Sequence, residues 1–266
     1  MKISLVVSTY NTPEYLKKVL EGIKLQTERP YEALIADDGS GPETAETVER
    51  CRRALPFPVV HLWQEDRGFR AAKIRNEAIK KSSGDYIIAL DGDCVPERHF
   101  ISDHAALARK GFFFQGKRML LGRRASASFE PALAQETGFL LKLFLSGGLK
   151  NAHHLLRLPF MPGFSFGGRS LRGTRSCNMG FFREDLMAVN GFNEDFVGWG
   201  REDSELAARL YKYGLGRKSH PFRALCFHLW HEENDRSGLE KNEELLADVL
   251  ARPEYRCKNG ISKLGS

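Results

Sequence analysis

Apolar positions along the first 110 residues follow two alternating rhythms. Short, nearly unbroken apolar runs occur at 2–9 (KISLVVST), 31–36 (YEALIA), 58–63 (PVVHLW) and 85–90 (DYIIAL), and each reads as a strand. Between them lie stretches with helical spacing. Pro13 opens one, with Tyr15, Leu16, Val19, Leu20 and Ile23 as its apolar positions, and others cover 43–54 and 71–82. Strands alternating with helices predict an α/β fold with a doubly wound, mostly parallel sheet. Ligands of such sheets bind beyond the carboxyl ends of the strands, where the connections reverse direction. Polar clusters mark three of those ends: STYN at 8–11, DDGS at 37–40 and DGD at 91–93. One shared cleft accounts for all three.

From 111 to about 172 the rhythm loosens. The stretch 129–173 mixes apolar residues with Lys142, Lys150, Arg157, Arg169 and Arg172, and carries no acid after Glu136. A helix returns within 197–214 (VGWGREDSELAARLYKYG), with Leu206, Leu210 and Tyr213 on one face and Gly214 as its stop. ALCFHLWH at 224–231 reads as a strand and 238–250 as a last helix. The chain thus divides into halves, 1–110 and 111–266, of a single domain.

Composition narrows the function. A length of 266 residues allows a substantial core. No window approaches the roughly 18 consecutive apolar residues of a membrane span. The opening MKISLVVSTYN has the lysine and apolar run of a signal peptide, but polar residues follow at once, so a first strand is expected. Five cysteines (Cys51, Cys94, Cys177, Cys226 and Cys257) show no CxxC pair and no disulfide rhythm, which fits a reducing cytosol. A net charge of +6 and an isoelectric point near 9.1 favour anionic partners. Nucleic acid ranks lowest, because no RNP-type aromatic motif, helix-turn-helix signature or zinc finger is present. The basic, apolar segment 131–172 suits either an anionic membrane surface or an ordinary amphipathic core helix and loop. A cytoplasmic protein, with peripheral contact at the inner face of the membrane, is the expectation.

The candidate chemistry begins at Asp91 and Asp93, which flank Gly92 at the end of a strand that reads as buried. Like charges so close repel, and an unpaired buried carboxylate costs several kcal/mol, so a cation is expected between them. Their hard oxygens suit Mg²⁺ or Mn²⁺ held against a diphosphate, though a polar turn capping the next helix would look the same. Asp37–Asp38–Gly39–Ser40 is equally good turn chemistry. Neither GxGxxG nor a P-loop follows the first strand, which disfavours a glycine-rich phosphate cradle. His228 and His231 are three apart, so a regular strand would point them to opposite faces. Joint ligation with Asp93 therefore requires a bend, and two imidazoles tilt the metal from Mg²⁺ toward Mn²⁺. In GWGREDSE, Gly198 and Gly200 flank Trp199, and Glu202 and Asp203 fall in the first turn of the following helix. There the helix dipole favours ionised carboxylates, as a general base requires, although first-turn acids often only complement the dipole.

VVSTYN, DDGSG and GDYIIALDGDC, with their spacing, resemble the N-terminal half of family 2 glycosyltransferases of the GT-A fold. SCNMGFFREDLMAVNGFNEDFVGWGREDSE, followed by CFHLWH, resembles the C-terminal module of β-1,4-galactosyltransferases and related bacterial enzymes. Together these cover about 1–110 and 174–232. The resemblance implies that Ser8, Tyr10 and Asp38 line a uridine pocket, with Asp91 toward the ribose. It implies metal ligands at Asp93 and His231, and His228 where the galactosyltransferases carry a methionine. Asp203 matches the catalytic base, Trp199 and Glu202 match donor-sugar and acceptor contacts, and Arg201 stands where the family often has glycine. The implied activity is inverting, metal-dependent transfer of a hexose, galactose or a close relative, from a UDP-sugar. The implied acceptor is a glycan or glycolipid such as a lipopolysaccharide or capsule precursor. Without a QxxRW motif, addition of single sugars is expected rather than processive synthesis. A sugar nucleotidyltransferase should carry a glycine-rich loop with a basic residue after the first strand, where STYNTPEY offers none. A sugar-binding protein without turnover is disfavoured because base, metal ligands and nucleotide contacts occur together.

Overall fold

A computed structural model describes residues 1–155, 166–232 and 235–263. The first part runs β1 (Ile3–Thr9), α1 (Pro13–Lys24), β2 (Glu32–Asp37), α2 (Pro42–Arg52), β3 (Val59–Trp63), α3 (Ala71–Lys81) and β4 (Tyr86–Asp91). Then come β5 (Cys94–Pro96), α4 (Phe100–Leu107), β6 (Phe112–Gln115), β7 (Lys117–Leu121), α5 (Arg123–Ala127), α6 (Thr137–Leu145) and β8 (Leu149–Lys150). The last part holds β9 (Phe166–Gly168), β10 (Asn178–Phe182), α7 (Arg183–Ala188), α8 (Glu202–Lys212), β11 (Gly216–Ser219), β12 (Leu225–His228) and α9 (Leu239–Ala251). Pro13 and Pro42 open α1 and α2, where a missing N–H costs nothing.

Eight strands form one sheet in the order β3-β2-β1-β4-β10-β6-β11-β9. The first four are mutually parallel, and β10 runs antiparallel to both β4 and β6. Both parts of the chain therefore share a single, mostly parallel sheet, the α/β architecture the periodicity predicts. Helices cover both faces. Leu5, Val7, Ile88 and Leu90 pack with Leu16, Val19 and Leu20 of α1, whereas Val6, Leu34, Ile87 and Ala89 pack with Ile74 and Ile79 of α3 and Leu206 and Leu210 of α8. Successive strand residues point to opposite faces, and both are buried, so these strands read as unbroken apolar runs. Each large apolar side chain so buried contributes about 1.5–3 kcal/mol.

The connections step from β1 through β2 to β3, then α3 carries the chain back to the other side of β1. That reversal opens a crevice between β1 and β4, whose register sets Ser8 beside Asp91. A second sheet, β5-β12-β7-β8, stands next to it. The expected strand over 224–231 ends early, at His228. Leu229 N–H still donates to the Asp93 carbonyl at 2.8 Å, in register with the β5–β12 pairing, and Trp230 N–H then turns to Ser126 Oγ at 2.7 Å, which draws the chain out of the ladder. This is the bend that the two histidines require.

In the segment 131–172, residues 156–165, Arg157 included, lie outside the described residues. Helix α6 turns Phe139, Leu140 and Leu143 toward the core and leaves Leu141, Phe144 and Leu145 exposed. Among the described residues no helix is long and apolar enough to cross a membrane.

Candidate active site

At the crevice, Ser8 Oγ donates to Asp91 Oδ1 at 3.0 Å. Arg75, buried on α3, donates through Nη2 to the same oxygen at 3.0 Å, through Nε to Ser8 Oγ at 3.2 Å and through Nη1 to Glu202 Oε1 at 3.3 Å. Burial works against its charge, but Asp91, Glu202 and Asp203 overcome this and hold the guanidinium pKa above its ordinary value. A single cation between Asp91 and Asp93 is thus not what neutralises Asp91. Arg75 does so, from the flank.

Asp93 has partners of its own. Its Oδ2 lies 3.6 Å from His228 Nε2 and 3.1 Å from His231 Nε2. Antiparallel pairing of β12 with β5 sets His228 opposite Cys94, next to Asp93, and the bend at 229–230 returns His231 to the same place. Burial disfavours the Asp93 carboxylate, but the His231 hydrogen bond and the two imidazoles outweigh it and keep its pKa below the usual range. The hydrogen bond that His231 donates to Asp93, against burial, pushes His231 up to about 9, while burial pulls His228 down. One ligand atom from each of the three residues falls within a 4.8 Å set. His231 Nδ1 also lies 2.6 Å from the Glu232 carbonyl, an outer contact of the kind that orients ligating histidines. One carboxylate and two imidazoles, so spaced and so oriented, fit a first-row divalent ion.

The third group forms at the start of α8. Gly198, Gly200 and Arg201 all have left-handed φ, of 82°, 106° and 74°, and turn the chain sharply into the helix. Arg201, a non-glycine in that conformation, pairs with Glu243 at 2.6 Å. Asp203 accepts from Ser204 N–H at 2.7 Å and from Ser176 N–H at 3.4 Å. Burial first, then neighbouring Glu202, push its carboxyl up to about 7. The expected helix-dipole stabilisation of the ionised form is outweighed, because the group is desolvated and has a like charge beside it. Glu202 turns inward to Arg75 and is only 8% exposed. Trp199 carries the Arg236 guanidinium 5.0 Å from its ring centre.

On the far side of β1, buried Asp38 accepts from Arg70 N–H at 2.7 Å and from Gln64 Nε2, and burial raises its pKa. Tyr10 is exposed and donates its hydroxyl to Asp66 Oδ2 at 2.9 Å. Gly39, at φ 96°, lets residue 66 approach: a Cβ there would stand 2.6 Å from Asp66 Cα. The sequence reading overlooked Gln64, Asp66, Arg70 and Arg75. Arg75 left a signal, an arginine among Ala71, Ala72, Ile74, Ala78 and Ile79 on the buried face of α3. Gln64, Asp66 and Arg70 left none.

A triad of metal-ligating type and a carboxyl with a pKa of about 7 thus lie on either side of Asp91–Arg75–Glu202 at the reversal point of an α/β sheet, and the architecture is that of the GT-A fold. Residues 4–130 match the profile of glycosyl transferase family 2, and residues 163–232 match that of the N-terminal domain of galactosyltransferase. The chain is similar to the family 2 glycosyltransferases over its first half and to a galactosyltransferase domain over a segment of its second half. It is 25% identical over 224 residues to hyaluronan synthase of Pasteurella multocida, an alignment covering 80% of this chain and 23% of that protein. The crystal structure of S. aureus TarS 1-349 in complex with UDP-GlcNAc superposes with a TM-score of 0.65 at 17% identity, over 94% of this chain and 66% of that one. The mannosyltransferase PcManGT from Pyrobaculum calidifontis, in complex with GDP-Man and Mn²⁺, gives 0.59 at 19% identity, over 87% and 58%. The chain spans 23% to 52% of the length of the curated relatives that align along 80% of it.

Proposed function

We propose that this chain transfers a hexose, galactose or a close relative, from a UDP-sugar to a hydroxyl of a glycan or glycolipid such as a lipopolysaccharide or capsule precursor. The observation that carries the reading is Asp203: a desolvated carboxyl with a pKa of about 7, linked through Glu202 and Arg75 to the strand end that carries Asp91. Such a group is ionised in a useful fraction at neutral pH, yet basic enough to take a proton.

Asp203 accepts the proton of the acceptor hydroxyl as that oxygen attacks the anomeric carbon. One base and one displacement invert the configuration, so an α-linked donor yields a β-linked product. Ser8, Tyr10 and Asp38 hold the uridine, Asp91 the ribose, and Trp199 and Glu202 contact the transferred sugar and the acceptor. Arg75 keeps Asp91 and Glu202 in register. Asp93, His228 and His231 would hold the divalent ion, with Mn²⁺ preferred to Mg²⁺ because two donors are imidazoles. When bound, the ion stabilises the negative charge that gathers on the departing diphosphate. The nucleotide sugars and Mn²⁺ bound by the two solved relatives support a nucleotide-sugar donor and a metal.

Residues 1–110 form the donor half and 111–266 the half that binds acceptor and carries the base. The exposed Leu141, Phe144 and Leu145, with Lys142 on the same helix, suit peripheral contact with an anionic membrane on the cytoplasmic side. A panel of UDP- and GDP-sugars, read by release of nucleotide diphosphate with Mn²⁺ present, tests the donor. Turnover of UDP-galactose or its epimer is expected, and a chain inert toward every UDP-sugar refutes the reading.

A further inference from the structure

Next to Asp203 lies a cavity of about 290 Å³ between the ends of β6, β7 and β11. Its volume equals that of roughly ten water molecules, the scale of a sugar residue rather than of a lone ion. Lys117, Arg118, Arg172, Arg175, Arg217 and His154 line it, and no lining residue among those described is acidic. The lysine and arginines crowd one another: burial, then Arg217 and Arg175, pull the Lys117 ammonium pKa down, while burial keeps the His154 imidazole neutral. Side chains with that mutual repulsion hold their places at a cost which an anion relieves. His154 Nδ1 is buried with no hydrogen-bond partner among the described residues.

The cavity is built, not incidental. Gln115 clamps residue 175 on both sides, accepting from Arg175 N–H at 2.9 Å and donating to the Arg175 carbonyl at 3.1 Å. Arg217 Nη1 donates to the Arg172 carbonyl at 3.0 Å. Arg175 and Cys177 both line the cavity, and Ser176 between them donates its N–H to Asp203. The cavity wall is therefore one residue from the base. Arg118, on β7 opposite Cys226 of β12, donates through Nη1 to Cys177 Sγ at 3.9 Å. Lys117, Arg172, Arg175 and Arg217 make the remaining cationic cluster.

We propose that this cavity is an acceptor subsite that selects a sugar bearing an anionic substituent, phosphate or carboxylate, close to the hydroxyl that Asp203 deprotonates. The proposal rests on the transferase reading and adds the charge class of the acceptor. In this assignment the donor diphosphate faces the ion that the triad at Asp93 would hold, and the cations of the cavity face the acceptor. The high isoelectric point of the chain gains a local purpose here.

Galactose, galactose 6-phosphate and galacturonate are titrated calorimetrically into the wild type and into Lys117→Gln/Arg175→Gln, with UDP and Mn²⁺ present. At least one charged sugar should bind the wild type about tenfold or more tighter than galactose, as charge-assisted hydrogen bonds predict, and less tightly as salt rises. The double variant should lose that preference, and Arg175→Lys, which keeps the charge, should retain most of it. Preference for galactose 6-phosphate assigns phosphate, and preference for galacturonate assigns carboxylate. Equal binding of charged and neutral sugars overturns the proposal. Loss of UDP binding in the double variant also overturns it, by assigning the cations to the donor. Failure of the wild type to hydrolyse any nucleotide sugar instead removes the transferase reading, and the binding contrast still reports on the cavity.

Discussion

Asp203 concentrates the chemistry into one titration. With its carboxyl near 7, transfer should rise with pH through about 7 and level off above, because only the ionised form accepts a proton. Replacement by asparagine should lower kcat by roughly 10²- to 10⁴-fold while UDP binding persists, and steady-state kinetics with a UDP titration check both. Stability moves the opposite way. A folded pKa raised above the unfolded value of about 4 means the folded state holds the extra proton, so its contribution is lost as pH rises from about 4 to 7. Urea denaturation of Asp203→Asn should accordingly show a flatter pH profile and greater stability than wild type at pH 8. The candidate base was legible because an acid pair followed WG at a helix start. Its elevated pKa was not, since Ser176 and the surrounding burial come from elsewhere in the chain. Asp38 is similar: its turn could be read from DDGS, but the cover supplied by Gln64 and Arg70 could not.

At the scale of elements, α8 shows what burial demands of charged residues. Arg209 is 1% exposed and donates to Glu205, to the Val189 carbonyl at 2.6 Å and to the Gly191 carbonyl at 2.8 Å. Arg209→Met leaves Glu205 buried without its cation, with only the Asn193 amide still donating to it at 3.3 Å, and should destabilise the fold by about 3–5 kcal/mol in chemical denaturation. The ends of most strands and helices in the first half agree with the periodicity within two residues. Strand β12 is the exception that matters. LWH continues an apolar strand pattern, yet Ser126 Oγ captures the amide at 230. A hydroxyl 104 positions away leaves no trace in a local pattern.

For the molecule as a whole, metal and surface are the testable properties. EDTA should abolish transfer, Mn²⁺ should restore it more fully than Mg²⁺, and full activity in chelator would remove the triad from the mechanism. His231→Ala should weaken Mn²⁺ binding in calorimetry by on the order of tenfold or more, since one of the three proposed ligands is gone. In co-sedimentation with anionic vesicles, wild type should bind, and Leu141→Gln/Phe144→Gln/Leu145→Gln should release it. Equal sedimentation of the two proteins counts against the contact. Strand alternation and the buried faces of β1, β2 and β4 were determined by sequence alone, because side-chain period is a property of adjacent residues. Tertiary structure decided which charges meet. Arg75 reaches Asp91 across 16 positions and Glu202 across 127, and the lysine and arginines of the cavity gather from β7, β11 and the loop before β10. Coulombic pairing depends on distance in space, which only the packing of the sheet and its helices sets.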